Sequence, residues 1–336
     1  MQFGKFVISL DFELYWGIKD VVELEKYESQ LLAVREVIPK LLDLFEKYQI
    51  HATFATVGLL FFETKKQMLQ HLPVQKPSYN NFKLSPYFNL GVAVGNNEKE
   101  DPFHFGWSLI KKIADAGQEI ASHSFSHYYC LEKGQTKEEF IEDVRAAKNI
   151  AKLNNIELNT FIFPRNQYNI EYLDICKKMG FIAFRGNENS RLFSSEWHGR
   201  SMVFRRPFRL LDSYFNLSGH NCYSEAEMKN SVLVNIPSSR FLRPYNKKFN
   251  FLEHLRLRRI TSGMEYAAKN RLAYHLWWHP HNFGANLQQN FDFLEKILVY
   301  YKKLHKEFNF ESVSMQQLAQ ELTKIPSGKN NQQTNK

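Results

Sequence analysis

The chain has 336 residues, is 43% hydrophobic and 24% charged, and contains 15 Gly and 11 Pro. Those values exclude a disordered, collagen-like or coiled-coil protein, and the length fits one large α/β domain or two of ordinary size, with core enough to need no disulfides. The formal net charge is +9 and it is uneven, because residues 200–271 hold 14 Lys+Arg against 5 Asp+Glu.

Cys130, Cys176 and Cys222 lie far apart with no C-x-x-C spacing, which argues against a disulfide framework or a cysteine zinc site. The apolar run before Asp11 is too short for a signal-peptide core, and no stretch reaches the 18 apolar residues of a membrane span. The expectation is a cytoplasmic protein with no membrane span. No nucleic-acid motif accompanies the basic stretch, so it reads as a solvated surface or as the rim of an anionic substrate site rather than a nucleic-acid partner site.

In chain order, KFVISLD is a short buried strand ending in acids. Leu31, Val34, Ile38, Leu41 and Phe45 mark one helix face, with a kink expected at Pro39. HATFATVG is the second strand. Residues 73–103, rich in Pro and Asn with interleaved aromatics, read as an ordered insertion. Asp101 is a candidate N-cap before a helix from about Phe105 to Ala116. The strand GQEIASHS, the helix KEEFIEDVRAAKNIAKLNN, the strand TFIFP, the helix NIEYLDICKKMG and the strand FIAFRG follow. Residues 186–270 carry no clear period and read as a basic irregular segment. AYHLWWH is a late strand, Phe291, Leu294, Leu298 and Tyr301 mark a helix face, and SVSMQQLAQEL reads as a strand end and a last helix. Residues 1–325 are expected to form one domain, and the polar tail 326–336 is expected to be disordered.

Repeated strand–helix units predict a parallel sheet covered by helices, with ligands at the carboxyl ends of the strands. Asp11 and Glu13, His123 and His127, Pro164 and Arg165, and His279 and His281 all fall at such ends. In Asp11-Phe12-Glu13 the two carboxylates share a side of an extended chain, so one can hold a metal while the other acts as base; alone, the pair reads equally well as a solvated loop. His123 and His127, four apart, can grip zinc from one face of a helical turn. Arg165 can pair with a catalytic carboxylate, although by itself it reads as a surface arginine after a strand-ending proline. In Trp277-Trp278-His279-Pro280-His281-Asn282, His279 at a strand end suits a general acid beside a flat sugar face. His275 lies deeper and reads as structural. Arg205-Arg206 and Arg240/Arg243, each before Pro, read as solvated charges or as contacts to an acidic sugar.

The series S-L-D-F-E, A-T-F-A-T-V-G, E-I-A-S-H-S-F-S-H, F-P-R-N and a late strand ending in His-Pro resembles the polysaccharide deacetylase family, carbohydrate esterase family 4, through residues 5–185 and again near 273–284. The resemblance implies an α/β fold, a distorted (β/α)7-type barrel, here with inserted loops. It also implies a divalent metal, usually Zn2+, and removal of an N-acetyl or other N-acyl group from a sugar of a surface polysaccharide or its precursor, a substrate that can be anionic. By residue, Asp11 resembles the family's base, His123 and His127 its metal ligands, Arg165 the arginine that orients the base, and His279 the general acid. Where the family usually has a second, adjacent Asp, this chain has Phe12, which makes Glu13 the candidate third ligand. Trp277, His281, Asn282, Asn166 and Arg206 are assigned to substrate binding. Two alternatives remain open: a metal-independent amide, ureide or formamide hydrolase of the same fold, and a non-catalytic carbohydrate-binding protein.

Overall fold

The computed structural model of the protein describes residues 1–189 and 201–323. Its frame is a curled sheet of parallel strands: β1 (Lys5–Phe12), β2 (Ala52–Thr56), β3 (Glu119–Ser122), β4 (Thr160–Phe161), β5 (Ala183–Phe184), β6 (Val234–Asn235), β7 (Arg240–Phe241), β8 (Ala273–Trp278) and β9 (Glu311–Ser312). The order is β6-β5-β4-β3-β2-β1-β8-β7, with β9 added to β1. Every ladder is parallel. This is the half-barrel form of the (β/α)7 fold. Parallel strands need covered faces, and all eight residues of β1 are buried.

Alternation along β1 sorts its side chains between two cores. Phe6, Ile8, Leu10 and Phe12 pack outward with the helices. Val7 points inward with Ala55, Ala121, Ile162 and Ala183 from the neighbouring strands and with Met315, Leu318 and Leu322. Ser9 and Asp11 continue the inward row, so apolar packing fills the lower lumen and polar groups appear only towards the strand ends.

The helices long enough to cover the sheet are α1 (Leu24–Tyr48), α2 (Trp107–Asp115), α3 (Lys137–Leu153), α4 (Ile170–Lys178), α5 (Ser201–Asp212), α6 (Glu253–Asn270), α7 (Leu287–Phe308) and α8 (Met315–Thr323). α1 buries Leu31, Val34, Val37, Ile38, Leu41 and Phe45 and runs through Pro39 as one element. Before α2 the N-cap is Gly106. Asp101 instead folds its own loop, accepting N–H bonds from Gly95, Phe103 and His104. α8 closes the bottom of the lumen: Met315 N–H donates to Thr53 Oγ1 at 2.9 Å and Gln316 N–H to Glu119 at 2.9 Å.

The segment 186–270 is less irregular than expected. It supplies β6, β7 and α6, whose Ile260, Gly263, Met264 and Ala267 are buried at helical spacing. Arginines interrupt that apolar face and hide its period in the sequence. Arg240, Arg256 and Arg259 are themselves buried, and Arg240 and Arg259 both reach the buried Asp212. Three of the cations in this stretch are therefore internal structure rather than surface charge.

Candidate active site

The carboxyl ends of the strands surround a pocket of about 430 Å³, lined among others by Asp11, Glu13, His123, His127, Arg165, Asn166, Trp277, His279, His281 and Asn282. The volume lies in the range of small-molecule sites. Arg206, assigned to substrate from the sequence, falls on α5, where its side chain is outside the description, and the tail 326–336 lies outside the described residues.

β1 delivers Asp11 into the lumen, and Glu13 follows where the chain leaves the strand. Leu14 then takes a left-handed backbone (φ 47°), turning the chain into a short helical loop. Gly17 in that loop lies against Glu13, and a Cβ there would overlap the carboxylate. Glu13 is thus held in place by the absence of a side chain four residues on.

His123 leaves the end of β3. The expected helical turn around it is absent: Ser124 and His127 both have positive φ (59° and 57°), and the segment is an irregular loop. Buried Asp143 of α3 organises it by accepting the N–H groups of Phe125 at 2.7 Å and Ser126 at 3.1 Å, together with the Ser126 hydroxyl. Backbone strain clustered at one rim is the usual accompaniment of a functional site.

The three candidate ligands meet. Nε2 of His127 is 3.1 Å and Nε2 of His123 3.4 Å from Glu13 Oε2, and one ligand atom from each residue lies within 4.8 Å of the others. All three side chains are buried. His123 Nδ1 faces the carbonyl of Ile162 at 2.8 Å, so Nδ1 carries the proton and Nε2 offers a lone pair. His127 Nδ1 contacts the hydroxyl of Tyr129 at 3.1 Å. Burial lowers the His127 pKa, which favours the neutral imidazole. Burial acts to raise the Glu13 pKa, but His279, His123 and His127 hold it well below the ordinary range. Two imidazoles and one carboxylate, all aimed at one point, are a donor set that a divalent cation fits.

Arg165 does not reach Asp11. Its backbone is left-handed (φ 54°), and its side chain turns to Asp20 and lies over the Tyr129 ring, 4.0 Å from the centroid. The guanidinium on Asp11 comes from Arg185, just beyond β5, in a bidentate pair of 2.7 Å bonds. Arg185 also donates to Ser9 and to Asn166 Oδ1, both at 3.0 Å, and stacks 4.2 Å from the Trp277 ring centroid. A strand-ending proline drew attention to Arg165; the overlooked signal was a lone arginine closing the apolar run FIAFRG.

Burial acts to raise the Asp11 pKa, but Arg185, with His123 and His279, holds it below its usual value. Behind it, the Ser9 hydroxyl is 2.8 Å from Nε2 of His275, whose Nδ1 lies 3.1 Å from the carbonyl of Ile236. Burial, then Arg185, pushes the His275 pKa down to about 3, so it stays neutral and accepts from Ser9. His279 projects its Nε2 to 3.8 Å from Asp11 and 3.6 Å from Glu13, while its Nδ1 faces the Asn282 amide at 3.5 Å. His281 stacks on His279 with centroids 5.1 Å apart, and burial pushes its pKa down to about 3. Trp277 faces the pocket; Trp278 points the other way, stacked on Phe283. Tyr27, Ile18, Val22 and Phe241 complete the wall.

Residues 26–184 match the family model described as polysaccharide deacetylase. Over that stretch the chain carries a polysaccharide deacetylase domain. As a deacetylase-like protein it is a hydrolase of C–N (amide) bonds. The matched stretch contains His123, His127 and Arg165, whereas Asp11, Glu13, Arg185 and His279 lie outside it and are joined to it by the fold. No curated protein matches the sequence. Among solved structures, the deacetylase-like chain is similar to a candidate polysaccharide deacetylase from Mycobacterium smegmatis (TM-score 0.58, 12% identity, 96% of this chain and 91% of that one). It is also similar to a candidate polysaccharide deacetylase from Pseudomonas aeruginosa (0.55, 10%, 94% and 89%), and to Puue allantoinase (0.53, 11%, 94% and 89%). At these identities the likenesses establish the fold. Among the described residues no helix is long and apolar enough to cross a membrane.

Proposed function

We propose that this deacetylase relative is a metal-dependent N-deacetylase that hydrolyses the N-acyl group of a sugar belonging to a surface polysaccharide or its precursor. The observation that carries the reading is the convergence of Glu13, His123 and His127 on one buried point, with Asp11 and His279 beside it. A divalent cation, Zn2+ by the chemistry of the donor set, would be held by those three residues and would supply a Lewis acid for the amide carbonyl and the attacking water.

The remaining chemistry belongs to the side chains. Asp11, kept ionised by Arg185, takes the proton from the attacking water. The new C–O bond forms, the protonated His279 gives its Nε2 proton to the sugar nitrogen, and the C–N bond breaks to give a free amine and a carboxylic acid, which releases its proton to water. Trp277 offers an apolar face to the sugar ring, and Asn166, His281 and Asn282 offer polar contacts.

The test is metal analysis paired with turnover on N-acetylated oligosaccharides. The expected outcome is one zinc or similar ion per chain, loss of activity on chelation, and recovery on adding metal. Asp11→Asn is expected to keep the ion and lose about 10²–10⁴-fold in kcat. Full activity in the chelated protein would overturn metal dependence and favour the metal-independent amide, ureide or formamide hydrolase.

A further inference from the structure

The two histidines of the site are oriented by different means. His123 is fixed by a backbone carbonyl, that of Ile162, which can only accept. His127 faces the Tyr129 hydroxyl at 3.1 Å, and a hydroxyl can either donate or accept. Which it does decides where the imidazole keeps its proton. The Tyr129 hydroxyl has a second neighbour, Asp20 Oδ1 at 3.3 Å. Asp20 is buried to within 5% of its side-chain surface and is paired with Arg165, whose guanidinium also covers the Tyr129 ring. A carboxylate paired with arginine only accepts. The one phenolic proton therefore goes to Asp20, the phenol oxygen accepts Nδ1–H of His127, and Nε2 is left with its lone pair towards Glu13, 3.1 Å away.

We infer that Asp20 and Tyr129, clamped by Arg165, are positioning residues that set the tautomer of His127 and so make it a metal ligand. This gives Arg165 a role one step removed from the one its motif suggested. The inference rests on the reading of Glu13, His123 and His127 as a metal site, and it reaches that site through residues of the loop 17–22, three of which (Gly17, Ile18 and Val22) also line the pocket. The alternative is that the Arg165–Asp20 pair only staples the loop to the end of β4.

The deciding substitution is Asp20→Asn, whose amide N–H₂ can donate to the phenol oxygen and turn the phenolic proton towards Nδ1. The proton of His127 then moves to Nε2, where it faces Glu13 and blocks the ligand position. Nitrogen-15 NMR of the imidazoles in metal-free protein, at a pH where they are neutral, is expected to show Nδ1–H for His127 in the parent chain and Nε2–H in Asp20→Asn, with His123 unchanged in both. Zinc affinity by competition with a chromophoric chelator is expected to fall about 10–100-fold, as for other partners of metal-bound histidines. Tyr129→Phe is the second variant: it removes the relay without reversing it, and a fall in zinc affinity at unchanged thermal stability is expected. A His127 tautomer and a zinc affinity indifferent to both substitutions would overturn the inference while leaving the metal site standing. A parent protein that binds no zinc would overturn both.

Discussion

Asp11 is where burial and charge compete most directly. A carboxylate taken out of water should hold its proton, yet Arg185 grips both oxygens and keeps it ionised. Removing that cation leaves burial unopposed, so Arg185→Gln is expected to raise the Asp11 pKa, move the acid limb of the kcat/KM–pH profile to higher pH and lower kcat. A profile with an unmoved acid limb would place the base elsewhere. Gly17 offers a second test. Gly17→Ala puts a methyl group where the Glu13 carboxylate lies, so the variant is expected to lose its bound metal while Asp11 and His279 are unaltered; retention of metal at parental affinity would count against Glu13 as a ligand. Asp11, Glu13, His123, His127 and His279 were legible in the sequence because each sits at the end of an apolar run. Arg185 and Gly17 were not singled out, since their importance depends on a partner 174 residues away in one case and on a close approach in the other.

At the level of elements, the succession of strands and helix faces was readable from period alone outside residues 186–270, and the conformation of the loop carrying the two histidines was not. Its spacing suits a helical turn, but His127 takes a positive φ that propensity disfavours. What overrides propensity is Asp143, whose acceptor oxygens collect the loop's N–H groups from the side of α3. Burial pushes its pKa up to about 6 in spite of those donors. A carboxyl whose pKa is higher folded than unfolded binds protons preferentially in the folded state between the unfolded value, about 3.9, and about 6. Its contribution to stability is therefore complete below that window and declines as pH rises through it. Unfolding measured from pH 3.5 to 7 is expected to show that decline, and Asp143→Asn to flatten it; an unchanged slope in the variant would assign the proton to another group.

Over the whole molecule, the half-barrel and the order of its motifs were visible in the sequence, while the meaning of the basic stretch was not. Composition shows charge but not pairing, and three of the arginines in that stretch are inside the protein. Asp212 is the acid that two of them share: it binds Arg240 at 2.8 Å, lies 3.5 Å from Arg259, and caps the following turn through Ser218. Asp212→Ala strands two buried cations and is expected to cost about 3–5 kcal/mol in stability, read by chemical denaturation, with the pocket chemistry intact in whatever fraction remains folded. A change below about 1 kcal/mol would mean that the cluster is solvated in solution.

The bond between Arg185 and Asp11 ties β5 to β1 across the lumen, although three strands lie between them in the sheet. One contact is therefore a reagent and a rivet at once. Selection acting on turnover cannot discard the acid without also slackening the wall that surrounds it, and a descendant that abandoned hydrolysis would be under pressure to keep Asp11 for mechanical reasons. An intact aspartate at this place in a relative is accordingly poor evidence that the relative is still an enzyme.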